Sequence, residues 1–172
     1  MRKLVIIRGN SGSGKSSLAK LLQREFGRGT LVIPQDTVRR EMLWAKDGPG
    51  TAAAPLLAAL LRYGRENSEV TVLEGILDAE CYRPVFREAV ELFGGNIFAY
   101  YYDLSFEETL RRHETKPSRF EFGEEAMRGW WKERDYIRFI PEKTFGPEVT
   151  LETAVRQILS DTGQEDTCQK SI

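Results

Sequence analysis

The chain has 172 residues, 41% of them hydrophobic and 30% charged, which is enough apolar material for one buried core. Its 25 Lys and Arg against 26 Asp and Glu leave a net charge of −1, and that balance excludes a general nucleic-acid or membrane binder acting through bulk charge. Two cysteines, Cys81 and Cys168, are too few for a disulfide framework, and no apolar run approaches the roughly 18 residues of a membrane span, so both thiols read as free in a reducing cytoplasm.

Met1-Arg2-Lys3 ahead of Leu4-Val5-Ile6-Ile7 mimics a signal peptide, but the run stops at Arg8 with no small-residue cleavage site. Apolar without alternation, it reads as a parallel strand covered on both faces. After the Gly/Ser-rich segment from Gly9 to Gly14, Leu18, Ala19, Leu22 and Phe26 mark one face of a helix that stops near Gly27 and Gly29. Leu31-Val32-Ile33 is a second strand broken at Pro34. Asp36 stands where it can cap a helix carrying Val38, Met42 and Leu43.

Gly48-Pro49-Gly50 is a loop, and Ala52 to Tyr63 a helix with Leu56, Leu57, Leu60 and Leu61 inward. Val70 to Leu73 is a third strand ending at Glu74-Gly75. A helix from about Pro84 to Phe93 has proline in its first turn and Gly94-Gly95 beyond its end. Ile97 to Tyr102 is a fourth strand. Ser105-Phe106-Glu107-Glu108 has the form of a capping box and opens a helix running into Arg111 and Arg112. Lys116-Pro117-Ser118 interrupts that helix, and a second helical run covers roughly Gly123 to Arg134. Residues 139–149 are irregular, with a short fifth strand near Thr144. Leu151 to Leu159 is a final amphipathic helix, and the polar stretch from Ser160 reads as disordered.

Strands alternating with helices predict an α/β protein with a parallel sheet flanked by helices on both faces. Ligands of such sheets bind at the carboxyl ends of the strands. Lys15, Asp36, Glu74 and Asp103 all fall at or just past those ends. Asp103 reads as a turn or cap residue.

Gly9-Asn10-Ser11-Gly12-Ser13-Gly14-Lys15-Ser16 matches G-x-x-x-x-G-K-[ST] in full, between a predicted strand and a predicted helix. The glycines let successive backbone N–H groups curl around a phosphate. The helix start at Ser16 and Ser17 adds donors and the positive end of its dipole. Lys15 can reach the β and γ phosphates, and the Ser16 hydroxyl is placed for Mg²⁺.

With this loop, the Gln35-Asp36-Thr37-Val38-Arg39 segment and the basic cluster near 111–119, the chain resembles the small P-loop kinases. Chloramphenicol phosphotransferase, zeta toxin and the phage polynucleotide 5′-hydroxyl kinase are of that type, as are bacterial proteins loosely labelled AAA-family ATPases. The resemblance implies a three-layer α/β/α P-loop fold with a five-stranded parallel sheet. It implies one kinase domain over residues 1–160, a small helical lid at about 111–135 and a disordered tail at 161–172. ATP would be the donor, with Mg²⁺.

The resemblance implies Asp36 as the base that accepts the acceptor hydroxyl's proton, with helix capping as the alternative. Arg39, three residues on, would hold the acceptor's phosphate as in the D-x-x-R of polynucleotide kinases, or lie on a solvated face with Arg40. Leu73-Glu74-Gly75-Ile76-Leu77 looks like the equivalent segment of uridine-kinase-type enzymes. Glu74 there would hold Mg²⁺ through water or position the acceptor. Arg111, Arg112, His113, Lys116 and Arg119 form the basic cluster of the lid. Arg112 and Lys116 would be its nucleotide-binding cations, Arg112 with a catalytic share. Either Lys116 or Arg119 could be the second cation, and His113 is not assigned as a catalyst. Trp44, Trp130 and Trp131 read as packing residues, with stacking on a planar substrate as the alternative. Residues 139–147 stand where such kinases wrap adenine.

The leading reading is an ATP-dependent kinase for a hydroxyl of a nucleoside, nucleotide, sugar nucleotide or antibiotic. One alternative acceptor is a nucleic-acid 5′ end. Another reading is a nucleotide switch or NTPase with no acceptor. That last class is disfavoured by the lack of an N-K-x-D motif and by a chain too compact for a ring ATPase. Nothing in the sequence assigns an oligomeric state.

Overall fold

A computed structural model describes residues 1–115 and 122–164. Five strands, β1 (Lys3–Gly9), β2 (Leu31–Pro34), β3 (Val70–Gly75), β4 (Ile97–Tyr102) and β5 (Glu142–Phe145), form one sheet in the order β2-β3-β1-β4-β5. Every pairing is parallel.

The run Leu4–Ile7 explains why β1 is central. All four side chains are 0% exposed, and successive ones point to opposite faces. Leu4 and Ile6 join one core with helices α3 (Ala53–Asn67) and α4 (Arg83–Phe93). Val5 and Ile7 join a second core with α1 (Lys15–Phe26) and α7 (Leu151–Asp161). Each such side chain contributes about 1.5–3 kcal/mol by leaving water, so a polar residue would be costly on either face. The two cores and the sheet between them make the expected three layers.

Register sets the site. Ile7 pairs with Glu74, Pro34 with Glu74, and Gly9 with Tyr102. The loop leaving β1 therefore lies between the carboxyl ends of β3 and β4, with the end of β2 one strand further out.

Several local expectations change. The segment after Pro34 is a three-residue helix, α2 (Gln35–Thr37), which widens into a π-helical turn over Val38–Met42. Only Val38 of its apolar residues is buried, while Met42 and Leu43 are exposed. α3 continues past Tyr63 to Asn67. The capping box forms only its first half: Ser105 Oγ accepts from Glu108 N (3.2 Å) ahead of α5 (Phe106–Glu114). The Glu108 side chain turns instead to Arg111 and Arg112.

The helical run expected over 123–134 is α6, Glu124–Trp130. It stops early because Trp131 leaves the helix to pack edge-on against Phe106, ring centroids 5.3 Å apart. α7 runs two residues beyond Leu159, and Gly163 at φ 66 closes it as Gln164 N bonds to Leu159 O (2.9 Å). The disordered reading of 160–164 is thus overturned. No helix among the described residues is long and apolar enough to cross a membrane.

Candidate active site

The loop from Gly9 to Gly14 has the conformation its glycines permit. Gly9, Gly12 and Gly14 have φ of 142°, 83° and 108°. At Gly12 a Cβ would also sit 2.5 Å from the Thr109 carbonyl oxygen, so α5 packs directly on the loop. Lys15 is nearly buried, and its ammonium donates to Asn10 O (2.9 Å) and Ser13 Oγ (3.3 Å). A cavity of about 430 Å³ lies over this loop, lined by Ser11, Gly12, Gly14, Lys15, Ser16 and Ser17. Asp36, Arg40, Glu74 and His113 also line it.

These donors fit a magnesium-bound nucleotide. The Ser16 hydroxyl and the Glu74 carboxylate offer hard oxygen donors to the cavity, and Lys15 and the backbone N–H groups offer hydrogen-bond donors to an anion. No group of three or more His, Cys, Asp or Glu side chains able to hold a metal occurs among the described residues. A magnesium ion here would take most of its ligands from phosphate and water, as that ion commonly does.

Arg112 reaches the same loop from α5. It donates to Ser13 O (3.1 Å), Pro147 O (3.3 Å) and Glu108 Oε1 (2.6 Å). Arg111 and Arg112 together hold the Glu108 carboxyl down at about 2. His113 is buried, stacks on Phe122 with centroids 4.6 Å apart, and bonds through Nε2 to Phe122 O (2.9 Å). Lys116 and Arg119 lie outside the described residues.

Asp36 is not a helix cap. Pro34 holds the cap position of α2, and the Asp36 carboxylate turns to Arg39 (2.7 Å) and Arg40 (3.3 Å). Arg39 is accordingly not on a solvated face: its side chain is 19% exposed, with Asp47 at 3.8 Å. Asp103 does not cap α5 either; its carboxylate accepts from Tyr136 OH (3.2 Å) and lies 3.5 Å from Arg134.

A second cavity of about 540 Å³ adjoins the first. The two share Ser11, Gln35, Asp36, Arg40, Ile76 and Phe122. Arg39, Lys46, Asp47, Asp78, Trp130 and Lys132 line the second one only. Asp36 therefore stands on the boundary between the phosphate-loop cavity and a charged side cavity.

The side cavity is built by polar groups that the sequence did not single out. Tyr82 is fully buried, and its hydroxyl donates to Asp47 (2.7 Å) while accepting from Gln35 Nε2 (2.8 Å). Burial and the hydrogen bond to Asp47 push that phenol well above its ordinary range. Asp78 pairs with Lys132. Burial works to raise the Asp78 carboxyl, but Lys132 and the Cys81 amide outweigh it and hold it at about 2. Asn10 clamps the loop to the Lys132 backbone in both directions, at 2.7 Å and 3.0 Å.

Arg8, at the end of β1, is the hub. It is 0% exposed and bonds to Glu142 (2.9 Å), to Asp135 (2.9 Å) and twice to Leu77 O (3.0 and 2.8 Å). Leu77 is at φ 48, a left-handed conformation that costs about 1–2 kcal/mol outside glycine, and Arg8 holds it by its carbonyl. Asp135 also accepts from Ala79 N (2.8 Å). Arg8 thus ties the loop after β3 to the segment after α6, which are two walls of the side cavity. The signal in the sequence was its position: an arginine inside a strand covered on both faces must find partners.

The three tryptophans divide. Trp131 packs on Phe106. Trp130 is half exposed beside Phe122 at the side cavity. Trp44 is 94% exposed, which overturns its packing assignment.

No protein-family model matches the chain, and comparison with curated proteins gives no match. The fold is shared with solved structures, kinases among them. The APS kinase of Mycobacterium tuberculosis, in complex with AMPPNP and APS, superimposes with a TM-score of 0.65 at 22% identity, over 92% of this chain and 96% of that one. A tunicamycin resistance protein from Deinococcus radiodurans gives 0.65 at 16% identity, over 95% and 97%. A gluconokinase from Sinorhizobium meliloti gives 0.62 at 18% identity, over 95% and 94%.

Proposed function

We propose that this chain is an ATP-dependent kinase that transfers the γ-phosphoryl group to a hydroxyl of a small molecule. The observation that carries the reading is the place of Asp36, on the wall shared by the phosphate-loop cavity and the charged side cavity. A donor in the first and an acceptor in the second would meet at this carboxylate. Two of the similar structures belong to proteins named as small-molecule kinases, the APS kinase and the gluconokinase.

The acceptor oxygen forms a bond to the γ-phosphorus as the bond to the β–γ bridging oxygen breaks, and ADP leaves. The hydroxyl proton passes to Asp36. Lys15, the loop N–H groups and Arg112 hold the phosphates and meet the charge that develops on them. Magnesium, held by Ser16 and Glu74 with water and phosphate, would neutralise further charge. Arg39 and Arg40 fix the direction of the Asp36 carboxylate, which is otherwise 58% exposed and free to turn. Catalysis is then mainly positioning and charge stabilisation.

The test is a screen with γ-labelled ATP and magnesium over nucleosides, nucleotides, sugars, sugar acids, aminoglycosides and 5′-hydroxyl oligonucleotides. Lys15→Ala serves as the blank. Label should appear on one class of small molecule, and Asp36→Asn should lower kcat by about 10²–10⁴. Label on the oligonucleotide alone would move the acceptor to a nucleic-acid end. Label found only as free phosphate would make the chain an NTPase, and full transfer by Asp36→Asn would remove Asp36 as the base.

A further inference from the structure

The side cavity says more about the acceptor than that it has a hydroxyl. Four cationic side chains, Arg39, Arg40, Lys46 and Lys132, line it against three carboxylates, Asp36, Asp47 and Asp78. Among the described residues the cavity therefore carries an excess of one positive charge. Its distribution is uneven.

Most of these charges are already engaged. Lys132 is paired with Asp78. Asp36 is shared by Arg39 and Arg40, one carboxylate between two guanidiniums. Asp47 is held by Tyr82, by Gln35 and by the Gly48 amide (3.0 Å), and Arg39 is the cation near it, at 3.8 Å. This leaves Lys46 on the cavity wall with no ion pair to a described residue, and Arg40 with only the longer of the two bonds to Asp36.

Lys46 is also placed rather than loose at its backbone. Its carbonyl accepts from Thr51 Oγ1 (2.9 Å), and Thr51 N bonds to Gly48 O (3.1 Å), closing the turn that presents Lys46 and Asp47 side by side. Asp47 in turn is anchored to the buried Tyr82. A lysine and an arginine with spare donors, both exposed on a wall anchored through Asp47 to the buried Tyr82, form a receptor for an oxyanion. A neutral polyol would offer these two cations no charge-assisted hydrogen bond, whereas an oxyanion accepts from both.

We infer that the acceptor is an anionic alcohol: its phosphate, sulfate or carboxylate binds Lys46 and Arg40, while its hydroxyl meets Asp36. The inference rests on the kinase reading for the hydroxyl, but the anion site stands or falls by binding alone. When Arg40 turns to the anion, Arg39 keeps the shorter bond to Asp36 and the base stays oriented. Asp47, beside the anion site, is positioned to accept hydrogen bonds from further hydroxyls and to repel a second anionic group.

The experiment uses matched pairs that differ in one anionic group: glycerol and glycerol 3-phosphate, glucose and gluconate, uridine and uridine 5′-monophosphate. Transfer is measured with γ-labelled ATP, and equilibrium binding by calorimetry with AMPPNP and magnesium already bound. The anionic member of at least one pair should exceed its neutral partner at least tenfold in kcat/KM. Lys46→Ala should raise KM for that compound about 10–30-fold with kcat within twofold, the signature of lost uniform binding. Arg62→Ala removes the same charge on the outer face of α3 and should change neither constant. Equal or better use of the neutral members, or an unchanged KM in Lys46→Ala, would overturn the anion site. If no compound is labelled the kinase reading fails; binding of an anionic member that is lost in Lys46→Ala would still uphold the anion site, and absence of binding would sink it as well.

Discussion

The phosphate loop and the side cavity lie against one another, yet they are held by different means. The loop is eight consecutive residues whose shape comes from backbone conformation at Gly9, Gly12 and Gly14, and whose donors are its own amides and the start of α1. The side cavity is assembled from the ends of β2 and β3, the turn at 46–51 and the segment after α6, which side chains of Arg8, Tyr82 and Asn10 tie together. The first depends on what a few positions can adopt. The second depends on one buried guanidinium, Arg8, keeping distant pieces in register.

The contrast is tested first at Arg8. Arg8→Met keeps the apolar stem but leaves Glu142, whose side chain is 2% exposed, without its cation and with the Ile137 amide as its remaining partner. The expected loss is about 3–5 kcal/mol in denaturant unfolding, because breaking one partner of a buried pair strands the other. Arg8→Met with Glu142→Gln should recover a good part of it. A single-variant loss below about 1 kcal/mol would mean that backbone contacts hold the cavity too, and the contrast would fail.

At the loop the matching variant is Gly12→Ala. The left-handed φ of 83° and the approach of Thr109 O both oppose a methyl group. A loss of about 2–3 kcal/mol is expected, since the strained conformation and the backbone clash add. Nucleotide binding, followed by calorimetry with AMPPNP, should weaken more than stability does. Unchanged affinity would show that the loop adapts to the nucleotide and is not preset by its glycines.

The same contrast explains how much of the molecule could be read from its residues alone. The four core strands were visible because Leu4–Ile7 and its counterparts are apolar runs, and the phosphate loop because its geometry demands adjacent residue types. Arg8 and its partners Asp135 and Glu142 are 127 and 134 positions apart, and no local pattern links them. Tyr82 and Asp47 are 35 apart, and each looks unremarkable in its own segment. The end of α6 was misplaced for the same reason: 123–134 carries a helical pattern, but Trp131 and Lys132 are claimed by Phe106 and Asn10 across the fold. Asp36 was legible as a strand-end carboxylate with Arg39 three residues on, while the sharing of its carboxylate by Arg39 and Arg40 together appears only in the structure.

A smaller effect separates the two walls of the side cavity by pH. The folded-state carboxyl of Asp78 sits at about 2, below its ordinary 3.8, so its pair with Lys132 stabilises the fold above pH 4. That contribution is lost as pH falls from about 4 through 2 and the carboxyl takes up a proton. Asp78→Asn should cost about 1–2 kcal/mol at neutral pH and flatten the acid limb of the stability profile. Glu108, also held at about 2, will keep part of that limb in the variant. An unaltered acid limb would place the restraint of this wall in Arg8 and Asp135 alone.

The smallest expected effect lies at Trp44. Its ring is almost wholly exposed, so Trp44→Ala should move stability by no more than about 0.5 kcal/mol. Its backbone is fixed by neighbours on either side: Ala45 N bonds to Arg39 O (2.8 Å) and Arg39 donates back to Ala45 O (3.3 Å). The ring is thus presented from a closed turn between Arg40 and Lys46, both on the cavity wall. A variant that is neutral in stability but raises the acceptor's KM would extend the side cavity to its rim and make Trp44 the aromatic face of the acceptor site. A variant neutral in both would confine acceptor binding to the charged wall, and the exposed ring would have no part in it.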